Sequence, residues 1–73
     1  MRLLGALGLA LAVLAGCVQD PVARKQSHLE RGTRYLAEGK HNEAIIELKN
    51  AIQIDQAYVP ALRTLGRAYA ARF

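Results

Sequence analysis

Cys17 is the single cysteine of the chain. One thiol cannot close an internal disulfide, and without a CxxC or a paired Cys/His spacing there is no zinc framework to stand in for one. Length is also scarce: 73 residues, of which 57 remain once residues 1–16 are set aside. So short a sequence buries little surface and is marginal without a staple, a metal or a neighbouring surface. Segregated charge is missing too. The net charge is +4, or +3 after residues 1–16, where nine Lys and Arg face six Asp and Glu. The two signs are interspersed from Arg24 to Asp55. A nucleic-acid binder gathers its cations on one face, whereas alternating signs describe a solvated surface, so nucleic acid is excluded as a partner.

The constellations that carry catalysis are absent as well. Catalysis needs a nucleophile or metal with oriented partners. Ser27 and His28 are adjacent, which on a helix sets them about 100° apart and unsuited to act as a pair. His28 and His41 lie on different elements with no third ligand, and both read as surface histidines. Glu43 and Glu47 read as solvent-facing carboxylates, Glu47 near Lys40 or Asn50. Gly5, Gly8 and Gly16 form no phosphate loop. The expectation is a protein that is not an enzyme, with no cofactor, no metal and no small-molecule substrate.

What is present begins at the amino terminus. Arg2 and the free amine give a short positive region, and Leu3–Val13 is an uncharged run of Leu, Ala, Gly and Val. That length suits the apolar stretch of a signal peptide and falls short of the roughly 20 residues a membrane-spanning helix needs. Leu14-Ala15-Gly16-Cys17 follows where cleavage is expected, with small residues before the cut. This block resembles the bacterial lipobox. The resemblance implies a thioether-linked diacylglycerol on Cys17, cleavage before it, and acylation of the new amino terminus. One fatty chain binds a membrane only marginally while two or more anchor it, so three acyl chains would hold the protein firmly. In such Gram-negative lipoproteins an aspartate directly after the cysteine favours the inner membrane. Here Val18 takes that place, which leans toward the outer membrane facing the periplasm.

Beyond a polar connector, Val18–Gln26, the chain repeats itself. Gly32 and Gly66 are 34 residues apart, as are Tyr35 and Tyr69, so RGTRY and LGRAY occupy equivalent places. Gln26–Glu38 reads as a helix with Leu29, Gly32, Tyr35 and Leu36 on one side. Gly39 falls where a left-handed residue ends a helix, and Asn42 reads as the N-cap of the next. Over Glu43–Ile54, Ala44, Ile45, Leu48, Ala51 and Ile52 form the stripe of a buried helix face, with Lys49 and Asn50 outward. Asp55–Tyr58 makes a turn, and Pro60 suits the first turn of a third helix lined by Leu62, Leu65, Tyr69 and Phe73.

The period and the packing places resemble the tetratricopeptide repeat, a helix-turn-helix unit. Gly32, Tyr35, Ala44, Leu48 and Ala51 match one full unit, and Leu62, Leu65, Gly66 and Tyr69 match the opening of a second. His28 stands where a tryptophan is common, Arg31 where a leucine is usual, and Gln56 where a turn proline is frequent. The resemblance implies an all-α solenoid of about one and a half repeats: a leader over 1–16, a lipidated linker over 17–25, a first unit over 26–58 and the first helix of a second over 59–73. It also implies a groove for a protein partner, lined by Gln26, Leu29, Thr33 and Leu36 from one unit and by Arg63, Arg67 and Ala70 from the next. That groove lacks the lysine and asparagine pattern that clamps a terminal carboxylate. AIIELKNAIQ, Ala44–Gln53, is similar to repeats of tetratricopeptide lipoproteins associated with exopolysaccharide and PEP-CTERM sorting systems. The expected function is a membrane-anchored scaffold for an unidentified envelope protein. The alternative is a small structural or membrane-active lipoprotein, or a truncated reading frame, since one and a half repeats leave an apolar face with no following helix.

Overall fold

The computed structural model describes residues 20–73, and the lipobox residues Leu14, Ala15, Gly16 and Cys17 lie outside them. Those residues form three helices: α1 Pro21–Ala37, α2 His41–Ile54 and α3 Val59–Arg72. α2 packs against both neighbours, while α1 and α3 touch only narrowly. The result is an all-α helix-turn-helix hairpin with a third helix laid against its second member.

α1 starts earlier than its hydrophobic spacing predicts. Residues 21–25, expected in a connector, are helical. The cause is local: Asp20 in extended backbone accepts a hydrogen bond from the Val22 amide at 3.0 Å, and Pro21 occupies the first turn, where a missing N–H costs nothing. Such a cap contributes about 1 kcal/mol. α1 ends at Gly39, whose φ of 78° lies in the left-handed region that other residues adopt at a cost. Gly39 N donates to Leu36 O at 3.1 Å and Lys40 N to Tyr35 O at 2.9 Å, the paired bonds that close a Schellman motif.

The start of α2 also differs from expectation. Its N-cap is Lys40, with no side-chain capping bond, and Asn42 lies inside the first turn. Asn42 Oδ1 instead accepts from Arg72 Nη1 at 3.2 Å, which ties the start of α2 to the end of α3. Glu43 supplies the negative charge that the helix dipole favours there. Between α2 and α3, Asp55 organises the turn. Its Oδ1 accepts from the Ala57 amide at 3.1 Å, and its carbonyl accepts from Tyr58 N at 3.1 Å.

The core is small and built largely of small side chains. Ala44, Ile45, Leu48 and Ala51 of α2 are buried, as are Ala61 and Ala68 of α3 and Gly32 of α1. Leu48 is the one large side chain with no exposure among the described residues. It sits against Gly32, where an added Cβ would come within 2.7 Å of Leu48 Cγ. That glycine is therefore a notch that lets α1 and α2 approach. Leu29, Tyr35, Leu36, Leu65 and Tyr69 pack half-buried around this centre.

On α3 the face turned inward coincides only in part with the one its large residues mark: Leu65 and Tyr69 pack half-buried against the central cluster, beside buried alanines. Ala68 joins the cluster of α2 side chains and Ala61 is buried, while Leu62, Gly66 and Phe73 are exposed. α2 approaches closely enough that alanine fills the interface. The flank bearing Leu62 and Phe73 faces away from it, with no helix of the described residues upon it.

Candidate functional site

The groove expected from the sequence divides into two kinds of residue. Gln26, Thr33, Arg63, Arg67 and Ala70 are exposed. Leu29 and Leu36 are half-buried against the Ala44–Leu48 cluster, so their apolar surface serves the core as much as any visitor. Thr33 Oγ1 donates to Leu29 O at 2.8 Å, and Thr64 Oγ1 makes the same bond back to Pro60 O at 2.8 Å. These hydroxyls are already engaged by their own helices. Arg63 and Arg67 stand one turn apart on α3, and among the described residues no carboxylate lies within ion-pair distance of either. The free hydrogen-bonding capacity of these positions thus comes from the two guanidinium groups, with five N–H donors each, and the side-chain amide of Gln26.

The polar groups that do find partners were not foreseen in the sequence. Glu47, expected to face solvent near Lys40 or Asn50, reaches across to α1. Its Oε2 accepts from Arg31 Nε at 2.7 Å and its Oε1 lies 2.8 Å from His28 Nδ1. Lys40 pairs instead with Glu38 at 3.5 Å. An ionised carboxylate can only accept, so the short contact requires the proton on His28 Nδ1. Arg31 Nη2, 3.0 Å from that same nitrogen, then finds no lone pair there. Partial burial pushes the Glu47 carboxyl up, but the hydrogen bonds from Arg31 and His28 and their charges outweigh it and hold it below its ordinary value of 4.5. His28 and Arg31 are the two residues that replace the bulky apolar side chains of the repeat pattern. Glu47 answers both with one carboxylate, so a polar clasp stands where the repeat pattern has apolar side chains.

A second clasp closes the other end of the hairpin. Lys25 Nζ donates to Asp55 Oδ2 at 2.7 Å and lies 4.5 Å from the centre of the Tyr58 ring. The Lys25 hydrogen bond, helped by the Ala57 amide, holds the Asp55 carboxyl below its ordinary value of 3.8. Lys25 belongs to the stretch expected to be linker. Its partner is visible only once α1 is known to begin at Pro21.

Between α1 and α2, on a flank of α1 away from the groove, Pro21, Arg24, His28, Asn50, Gln53 and Ile54 line an open recess of about 510 Å³. Asn50, expected outward, is half-buried there. A smaller recess of about 300 Å³ is lined by Tyr35, Glu43, Ile46, Glu47 and Asn50. No three His, Cys, Asp or Glu residues converge among the described residues, and His41 opens α2 apart from His28. The His28–Glu47 pair, with Arg31, links α1 to α2 across the hairpin.

Of the remaining packing positions, Gly32, Ala44, Leu48 and Ala51 are buried, with Tyr35 half-buried. Leu65 and Tyr69 are half-buried, and Leu62 and Gly66 are exposed. None of the helices among the described residues is long and apolar enough to cross a membrane.

No curated protein and no solved structure matches the chain at a significant level. A family model described as a TPR repeat does match, over residues 32–71. That span runs from Gly32 in the middle of α1 through α2 to the end of α3, more than half of the chain, and contains the Gly32–Leu48 contact on which the hairpin closes. The chain belongs to the tetratricopeptide repeat family.

Proposed function

We propose that this protein is a non-catalytic interaction scaffold tethered by lipid to the bacterial envelope. The observation that carries the scaffold reading is the TPR match laid over a helix-turn-helix geometry, since such repeats mediate protein partnerships. Unpaired Arg63 and Arg67 on the exposed side of α3 favour an acidic partner segment along the groove. The tether rests on sequence: Arg2, the Leu3–Val13 run and Leu14-Ala15-Gly16-Cys17. Val18 after the cysteine favours the outer membrane, facing the periplasm. The likeness of Ala44–Gln53 to repeats of exopolysaccharide and PEP-CTERM-associated lipoproteins points to polysaccharide export or protein sorting as the process served.

Two measurements test the two halves separately. Cys17→Ala should abolish metabolic labelling with palmitate and release the protein from membranes after a carbonate wash, and retention would overturn the lipid tether. A photo-crosslinking amino acid at Thr33, exposed and outside the core, should give a discrete adduct with an envelope protein that fades in Arg63→Glu/Arg67→Glu. A partner captured equally well by that variant would refute the electrostatic groove.

A further inference from the structure

At the end of the hairpin where α1 begins and α2 finishes, the recess of about 510 Å³ gathers side chains that the fold leaves unused. The carboxylates beside it already have partners. Asp20 accepts from the Val22 amide at 3.0 Å, Asp55 from Lys25 Nζ at 2.7 Å, and Glu47 from Arg31 Nε at 2.7 Å. Arg24, which lines the recess from α1, has none: among the described residues no carboxylate lies within ion-pair distance of it. On the α2 side Asn50 and Gln53 stand one turn apart. Neither carboxamide is hydrogen-bonded to protein among the described residues, and neither is sealed from solvent. His28 commits Nδ1 to Glu47 at 2.8 Å, so Nε2 is what its ring offers the recess. With the proton on Nδ1, the Nε2 of a neutral imidazole is an acceptor. Pro21 and Ile54 complete the lining with apolar surface.

We infer that this recess binds a glycerol phosphodiester, with the phosphate on Arg24, the hydroxyls on His28, Asn50 and Gln53, and the glycerol carbons against Pro21 and Ile54. A guanidinium meets a phosphate through paired N–H···O bonds that are stronger than neutral ones. The helix ends orient the ligand: the positive end of α1 stands on the Arg24 side, and the negative end of α2 at Ile54 keeps the phosphate from that side. Neighbouring hydroxyls each donate and accept, which suits two carboxamides that do the same beside an imidazole acceptor. A zwitterionic headgroup fits worse, because its ammonium would lie near Arg24 and find every bordering carboxylate already bonded. The volume falls within the range of about 300–1,000 Å³ that small-molecule sites occupy. Such a ligand has two sources, the headgroup of phosphatidylglycerol or a free glycerophosphodiester. The lipid source rests on the tether proposed above: Pro21, on the recess, follows Cys17 by four residues, so headgroups would be the nearest phosphates.

The test uses the full chain in uncharged dodecyl maltoside micelles and follows the side-chain amide resonances of Asn50 and Gln53 by NMR. Glycerophosphoglycerol, the water-soluble headgroup of phosphatidylglycerol, should shift both saturably, and inorganic phosphate should bind several-fold more weakly. Arg24→Gln, at an exposed helical position, should weaken binding by about tenfold or more with helicity unchanged. Asn50→Asp, nearly the same in shape, should do the same by repelling the phosphate. Arg63→Gln/Arg67→Gln on α3 should leave binding as it was. Phosphatidylglycerol doped into the micelles separates the sources. Saturation at a lower headgroup concentration than the soluble form needs assigns the site to the bilayer, and equal midpoints assign it to a free phosphodiester. Cys17→Ala should bind the soluble headgroup like the parent, so failure of the tether and failure of the site are read apart. Absence of a saturable shift overturns the proposal. So do binding that survives Arg24→Gln, inorganic phosphate bound as tightly, and an equal response to phosphatidylethanolamine.

Discussion

Replacing Gly32 and Gly66 by alanine, one at a time, sets the same chemical change in two environments that the sequence presents as equivalent. Both glycines are inside helices, where alanine is preferred by about 1 kcal/mol. At Gly66 that is the whole effect, because nothing lies within 4 Å of the new methyl. At Gly32 the methyl would stand 2.7 Å from Leu48 Cγ and 2.8 Å from its Cδ2, with Ala44 O at 3.4 Å. Carbon atoms are comfortable at about 3.5–4.0 Å, so Leu48 or the helix axis must yield by close to 1 Å. Leu48 has no exposure and cannot swing into solvent. Overpacking of this kind costs about 1–3 kcal/mol, which cancels or exceeds the gain in helix propensity. Gly66→Ala should therefore stabilise by about 1 kcal/mol, and Gly32→Ala should fall about 1–3 kcal/mol below it. In a domain of this size 1 kcal/mol moves the midpoint by about 4–8 °C, so thermal unfolding followed by far-ultraviolet circular dichroism resolves the pair. Equal rises in Tm for the two variants would show that the α1–α2 approach does not depend on the notch, and the packing argument would fail.

The Glu47 clasp predicts a coupled pair. Arg31→Leu and Glu47→Leu should each destabilise by about 1 kcal/mol, a figure kept small because Arg31 is 39% exposed and its charge is screened. The double variant should recover most of the loss, since two leucines restore apolar contact across the helices, and strictly additive urea midpoints would contradict this. Stability should also depend on acid in a defined direction. Glu47 and Asp55 both have folded-state pKa values depressed below 4.5 and 3.8 respectively, so the unfolded chain takes up protons first. Their contribution is fully present above those ordinary values and is lost as pH falls through the lower, folded ones. Urea unfolding should give a flat stability between pH 7 and about 5, then a decline that Glu47→Gln/Asp55→Asn flattens. A decline that persists in that variant would assign it to other groups.

Much of the hairpin could be read from residue types alone because its determinants are local. Gly39 announces a left-handed cap by having no Cβ, Pro60 fits only an early helical position, and the Ala44–Ile52 spacing marks a buried face whatever covers it. The missed features fall into two classes. Some had a local signal that was outweighed: Asp20 followed by Pro21 is a helix start, yet the polar run after it read as connector because no apolar period begins until Leu29. Others have no local signal. Glu47 lies 16 residues from Arg31 and 19 from His28, and only the crossing of α1 over α2 brings them together. The α3 interface misled for a related reason. Large residues mark a face as apolar, but how near the neighbouring helix comes decides whether leucine or alanine fits, and α2 comes near enough to select Ala68. The exposure of Gln26, Thr33, Arg63 and Arg67 follows from their polar side chains, whereas the half-burial of Leu29 and Leu36 depends on how α2 fills the space beneath them.

The early start of α1 bears on how the scaffold would stand on a bilayer. Four peptide steps separate Cys17 from Pro21, and at roughly 3.5 Å each they span no more than about 14 Å. The headgroup layer consumes about 5–7 Å of that. An acylated Cys17 would therefore keep the start of α1 within about 14 Å of its lipid attachment, whichever way the hairpin leans. The first turn of α1, with Arg24 exposed, would ride just above the lipid phosphates, while the rest of α1 could carry the hairpin about 25 Å further out.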